Sequence, residues 1–342
     1  MKHLLRVVTA ICVLQCASPV WAWGAEVHRS LAAVALERLT GAGDSEWLKR
    51  AGIVERVLFN ANQPDRWRGW PSDTLKHEND ADHYLDAELL AQFGLTLETM
   101  PRLRNEYLRA MAVAKHTHPE QVDPYDAGKD PARAQEWPGF LLHAITEHYA
   151  KLQAAFNQVQ ILEHLDDPKR TAQLAEARGI VVYHIGALAH FVADAAQPLH
   201  TTKHFNGWVG ENPKGFKWRD RFHNYVDEGW ARRHGIRPDA IRAAARDVKL
   251  ANPRDPWDDV RTYFERSHAE LERLYALERD GELDGEPGRK LLLERLGDAA
   301  GMLSALIQAA YDSSLPTVEQ VERWTFYDND GQKPEPTTQP AS

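Results

Sequence analysis

The chain has 342 residues, 43% hydrophobic and 27% charged, with a formal net charge of −9. That is enough apolar material for a real core, in one large domain or two ordinary ones. No polybasic run is present, which excludes a nucleic-acid binder held mainly by phosphate contacts, so a grip on phosphate must come from a metal or a few arginines.

Residues 1–22 read as a secretory signal. Lys2 and Arg6 form the positive start, and the apolar run from Val7 to Leu14 is too short to span a bilayer. Val20-Trp21-Ala22 supplies small side chains at −3 and −1, and Gln15 before Cys16 disfavours a lipoprotein site. Cys12 and Cys16, the only two cysteines, fall inside this segment, so the mature chain has neither disulfide nor thiolate chemistry. Cleavage leaves 39 of 41 basic residues against 50 acidic ones, a charge of −11. It also makes Trp23 the N-terminus, with a free α-amino group that can ligate a metal. The expected location is secreted or periplasmic, and no other stretch reads as apolar enough to cross a membrane.

From Trp23 the chain reads as helices. Leu31, Val34, Ala35 and Leu39 share a helical face, with Gly41 as a stop. A second helix spans roughly 45–62 and ends at Pro64. The segment 76–90 carries His77 and His83, a helix is expected over 97–115, and 116–138 is a proline-punctuated loop. Helices are predicted over 140–156 and 171–194, then a glycine-rich loop over 201–215. Further helices follow at 222–233, 238–250, 256–280 and 286–314, and 332–342 is a disordered tail. With no repeat and almost no strand-like alternation, the expected fold is all-α, a single multi-helix domain over 23–331, with sites between helices.

The stretch from His190 to His200 concentrates the chemistry. His190 and Asp194 are four apart, so a helix sets them on one face, a turn apart. Pro198 ends that helix, and His200 leaves from the next segment. Two imidazoles and a carboxylate suit Zn²⁺, and the two oxygens of Asp194 can bridge two metals. The plain alternative is a polar helix end. His223 and Asp227 repeat the i, i+4 spacing and with His200 make a second set. Asp65 and His83 could complete the first. Trp23 and His28 could complete a third with Asp194.

This ordered set resembles the superfamily of zinc-dependent phospholipases C and the fungal and plant single-strand-specific nucleases. The matching pieces are Trp23-Gly24 with His28, Asp65-x-x-Arg68, His83-Tyr84-Leu85-Asp86, the run from His190 to His200, and His223-x-x-x-Asp227. The resemblance implies an all-α phosphodiesterase with three zinc ions per chain. It implies that Asp65, His83, His190 and Asp194 hold one zinc, and that Trp23, His28 and Asp194 hold its neighbour. His200, His223 and Asp227 hold the third. Arg68 matches the arginine that contacts phosphate, and Asp86 the carboxylate that orients the attacking water.

The chain also departs from the family. Where the nucleases carry Gly-Gly-Asn after the second histidine, it has Trp208-Val209-Gly210-Glu211-Asn212-Pro213, and its segment between His83 and His190 is longer. His77 competes with His83, and Asp65 could be only a helix cap. His143, His148, His184 and His204 read as structural or supporting. Trp67, Trp70, Trp208 and Trp218 are either buried aromatics or stacking surfaces. The expected activity is a single-strand-preferring nuclease or 3′-nucleotidase acting on nucleic acid or nucleotides, as a monomer, with Trp208 or Phe205 stacking a base. The alternatives are a phospholipase C acting on phospholipid head groups and a non-catalytic secreted zinc protein.

Overall fold

The computed structural model describes residues 23–40 and 45–328, so the expected signal segment and the 332–342 tail lie outside the described residues. Among the described residues there is no strand, only an isolated bridge between Leu85 and Gly139. The all-α, single-domain expectation holds.

In chain order the helices begin with α1 (Ala25–Glu37), α2 (Ala51–Asn60), α3 (Gln63–Arg68), α4 (Asp73–Asn79), α5 (Arg104–Thr117), α6 (Leu141–Leu165) and α7 (Thr171–Ala196). A continuous helical run over 222–233 follows. It is α at Phe222–Asn224 (α8), π at Tyr225–Gly229, and α again at Trp230–Arg233 (α9). The chain continues through α10 (Pro238–Ala244), α11 (Trp257–His268), α12 (Leu271–Arg279), α13 (Glu286–Asp312) and α14 (Val318–Asp328).

The long helix α7 is the axis. From Ile185 to Ala196 every residue is buried, because α2, α6, α11 and α13 all pack on it. A helix apolar on all sides must be surrounded. By length and composition the segment Pro168–Ala196 would also span a bilayer, which corrects the reading that no such stretch exists. Most of its apolar window is covered by the neighbouring helices instead. Leu31 and Val34 of α1, Phe156 and Val159 of α6, and Leu296 and Leu303 of α13 fill the space around it.

Several boundaries differ from the sequence reading for identifiable reasons. Pro64 does not end a helix; α2 stops at Asn60, and Pro64 sits in the first turn of α3, where its missing N–H costs nothing. The expected 97–115 helix starts only at Arg104, after Pro101. The 238–250 helix stops at Ala244, because the chain then runs across α13. A Cβ on Gly297 would lie 2.3 Å from the Ala244 carbonyl, and one on Gly301 2.2 Å from that of Arg246. The 256–280 stretch is two helices, broken at Ala269–Glu270, and α14 was not foreseen.

One glycine sets how closely α2 meets α7. A Cβ on Gly186 would lie 2.4 Å from Asn60 Cβ and 2.8 Å from its backbone carbon. Four residues on, His190 bonds the Ala61 carbonyl at the end of the same helix. Gly186→Ala should therefore lower stability by about 1–3 kcal/mol through overpacking. Gly52→Ala, with nothing within 4 Å, should leave the melting temperature unchanged or raised. Thermal melts of the two variants check this, and equal melting temperatures would show that the helices have room to spare.

Candidate metal centre

The eight ligating side chains expected from the sequence leave six segments of the chain. His190 and Asp194 come from the buried end of α7, His28 from α1 and Asp65 from α3. His83 ends a 3₁₀ turn, Asp80–His83, and His200 lies in another, Pro198–Thr201. His223 and Asp227 share the 222–233 run, where the π turn brings i and i+4 nearer to eclipse than an α-turn does.

These side chains converge in three groups whose ligand atoms lie within 4.8 Å of one another: His28, His190 and Asp194; Asp65, His83 and His190; and His200, His223 and Asp227. All are buried. Asp194 turns Oδ1 toward His28 Nε2 (3.6 Å) and Oδ2 toward His190 Nε2 (3.4 Å). Asp65 Oδ1 lies 3.7 Å from His83 Nε2 and 3.9 Å from His190 Nε2. Asp227 faces His223 Nε2 at 3.2 Å and His200 Nε2 at 3.9 Å. Two ligands bound at 2.0–2.1 Å on a tetrahedral ion are about 3.3 Å apart, so the pairs at 3.2–3.6 Å suit atoms sharing an ion.

The imidazoles are oriented for that role. Nδ1 of His83, His190 and His200 each meets a backbone carbonyl, of Asn79 (2.9 Å), Ala61 (2.9 Å) and His83 (2.6 Å). A carbonyl only accepts, so Nδ1 carries the proton and Nε2 presents its lone pair to the cluster. Nε2 of His28, His83, His190, His200 and His223 has no hydrogen-bond partner, nor has either oxygen of Asp194. Buried polar atoms left this way cost free energy unless a cation satisfies them.

Electrostatics points the same way. Burial holds His28 and His83 well below 6.5 and His190 down to about 3, so these rings are neutral. Burial pushes Asp194 far up, against the pull of His200. His200 alone goes up, to about 9, because Asp194 and Asp227 outweigh its own burial. Carboxylates gathered among neutral imidazoles require added positive charge to stay ionised. The clusters therefore fit a metal ion.

The surroundings lock the set. Asn79 donates to the Pro64 carbonyl (3.0 Å) while its own carbonyl takes the His83 proton, joining α3 to the His83 turn. Arg104 holds that turn to α6 through Asp82 (2.6 Å) and Glu147 (2.8 Å). Leu85 N donates back to the His200 carbonyl, and a Cβ on Gly139, at φ +111°, would lie 2.1 Å from the Tyr84 carbonyl. Only glycine fits there. Glu88 accepts from Thr202 and Lys203, fixing the chain after His200.

A cleft of about 210 Å³ opens over His83, His200 and His223. Its rim carries Arg68, Asp86, Gln135 and Phe205. Arg68 lies 3.9 Å from Asp65 and 3.7 Å from Asp80. Burial and Glu88 push Asp86 up to about 8.

No protein-family model matches this chain, and no curated protein matches it.

Other sequence candidates fall elsewhere. Trp23 is fully buried, and the Gly24 N–H donates to the Asp227 carbonyl at 3.0 Å, so the start of the described chain lies against the third group. Residues 1–22, on which a free Trp23 amino group depends, lie outside the described residues. His77 is exposed and bonds the Ala132 carbonyl, away from the clusters. Asp65 is not a helix cap, since Asn62 precedes α3 in that position. His143 bonds the Pro101 carbonyl, and His148 pairs with His184 at 3.1 Å. Trp208 stacks on His204, centroids 4.2 Å apart, and its N–H donates to the Glu211 carbonyl. One of its faces is thus covered, whereas Phe205 is exposed beside His223. Sequence reasoning passed over Gln197, whose signal lay inside the quoted motif, and over Asn79, Ala61 and Gln135, which had none.

Adding Zn²⁺ to chelator-stripped protein should raise its melting temperature, since ligand at 1,000 times its Kd contributes about 4 kcal/mol. Asp194→Asn should lose more of that gain than His223→Ala, because the two Asp194 oxygens face His28 and His190, and His190 is shared by two of the groups. Equal, small losses in a zinc-titrated thermal melt would show that Asp194 joins no pair of sites.

Proposed function

We propose that this protein is an exported, monomeric, zinc-dependent phosphodiester hydrolase that prefers single-stranded nucleic acid or nucleotides. The observation that carries the reading is the convergence of unpartnered imidazole Nε2 and carboxylate atoms beneath a cleft rimmed by Arg68 and Asp86. A nitrogen and carboxylate donor set without thiolate suits zinc. Asp65, His83, His190 and Asp194 would hold one ion, Trp23, His28 and Asp194 a second, and His200, His223 and Asp227 a third. The leader-like residues 1–22 support export.

Zinc held there supplies Lewis acidity to phosphate oxygens and lowers the pKa of water. The protein's own groups do the rest. Arg68, at the cleft rim, offers its guanidinium fork to the non-bridging oxygens and offsets charge as it develops. Asp86 takes a hydrogen bond from the attacking water and aims it in line. With only His200, His223 and Asp227 in its group, a tetrahedral ion held there would keep one position for substrate, which favours catalysis over a purely structural role. Phe205 gives a base a ring to stack on, at about 1–3 kcal/mol per base. An acidic chain without a basic stripe repels duplex DNA, which favours single strands.

Zinc analysis of the protein beginning at Trp23 should give three ions per chain, and a zinc-saturated preparation holding one or none would remove the reading. Single-stranded DNA or RNA should be cleaved faster than phosphatidylcholine at matched zinc and pH. Phe205→Ala should raise KM for oligonucleotides while sparing an abasic oligodeoxyribose phosphate, which has no ring to stack. Lipid turnover without nucleic-acid cleavage would assign the phospholipase alternative.

An additional methionine before Trp23 should cripple the enzyme, because it converts the amine into an amide whose lone pair is delocalised. Full activity of that protein, its methionine verified by mass spectrometry, would exclude N-terminal ligation.

A further inference from the structure

Gln197 lies between α7, which carries His190 and Asp194, and the 3₁₀ turn that carries His200, and it is fully buried. Its backbone N–H closes α7 on the Asp194 carbonyl at 3.0 Å. Its side-chain Oε1 accepts from the Leu199 N–H at 2.8 Å, capping the turn that presents His200. Its Nε2 donates to Asp227 Oδ1 at 2.7 Å. The amide is therefore used at both ends. One end fixes the turn bearing one ligand, and the other fixes the carboxylate of a second ligand thirty residues away.

The consequence is directional. With Oδ1 of Asp227 engaged by an amide N–H, Oδ2 is left without a hydrogen-bond partner and faces His223 Nε2 at 3.2 Å. A group that could only accept would repel Oδ1 and let the carboxylate turn. We propose that Gln197 is the positioning residue of the His200–His223–Asp227 site, dictating which Asp227 oxygen is offered to the ion and holding His200 opposite it. This rests on the reading of that group as a zinc site. Groups that orient a ligand in this way typically change metal affinity by 10–100-fold when removed.

Gln197→Glu separates the two functions of the amide. It keeps the length and the acceptor for Leu199 N–H, but sets a carboxylate against Asp227 where a donor stood. Zinc release from the mature, zinc-loaded protein to a competing chromogenic chelator reads the sites individually. Wild type should release three ions. In Gln197→Glu one of them should leave about 10–100-fold more readily, while the other two are unchanged and the far-UV circular dichroism stays native. Gln197→Met, which removes both hydrogen bonds, should show the same selective loss and serves should Gln197→Glu not fold. Three ions released as in wild type, or all three weakened alike, would overturn the proposal, as would failure of both variants to fold. A wild-type protein that binds no zinc would instead remove the underlying zinc reading.

Discussion

Everything in this protein is arranged around carboxylates held in a dry interior. Asp65, Asp194 and Asp227 are all buried, and the imidazoles beside them are mostly neutral. Burying one carboxylate already costs several kcal/mol, and bringing three together adds mutual repulsion. Arg68 is close enough to soften Asp65 but not to neutralise the group. A fold that concentrates negative charge this way is tuned to a positive guest. The helices are correspondingly stiff where they meet it: α7 is buried throughout its last three turns, and Gly186 lets α2 close on it without a side chain between.

The second constraint is orientation. A histidine can present either nitrogen, and the backbone decides which. The carbonyls of Ala61, Asn79 and His83 each take an Nδ1 proton, leaving Nε2 toward the cluster. These carbonyls come from a helix end, a helix end and a turn, where backbone acceptors are left over from helical bonding. The site therefore uses the unmatched ends of helices as its scaffold. The same economy appears at Gln197, where a helix terminus, a turn cap and a ligand contact meet in one residue.

Much of this was legible in the sequence, and the reason is periodicity. The four-residue spacings of His190 with Asp194 and His223 with Asp227 translate directly into shared helix faces, and the proline at 198 into a change of direction. Helix type and order were readable for the same reason. What was not readable depends on contacts between distant segments. Nothing in residues 238–250 says that the chain must straighten after Ala244; that follows from Gly297 and Gly301 on another helix. Backbone carbonyls carry no side-chain signature, so the partners of the imidazoles could not be named. That His204 stacks on one face of Trp208 was likewise not readable from the sequence.

On the proposed reading, the chemistry and the substrate would be set by different parts of the molecule. The ligand clusters rest on α1, α3, α7, the two 3₁₀ turns and the 222–233 run, and would determine which bond type can be attacked. The rim of the cleft rests on loops. Phe205 follows the His200 turn in a stretch fixed by Glu88 and by Tyr275, whose hydroxyl bonds the His204 carbonyl. Gln135 belongs to the long segment before α6, which is itself pinned: Tyr84 donates to the Ala134 carbonyl, and Asp130 accepts from the Gln135 N–H. Because these loops are tied down, the rim is a preformed surface and not a collapsing lid. An amide and an exposed ring on two loops of that rim offer hydrogen bonding and stacking together, both of which a planar base can use; a choline group can meet the ring through cation–π attraction but brings no N–H or O–H to the amide. That asymmetry is the physical ground for favouring nucleotides over lipids, and it resides in residues that no metal-ligand motif includes.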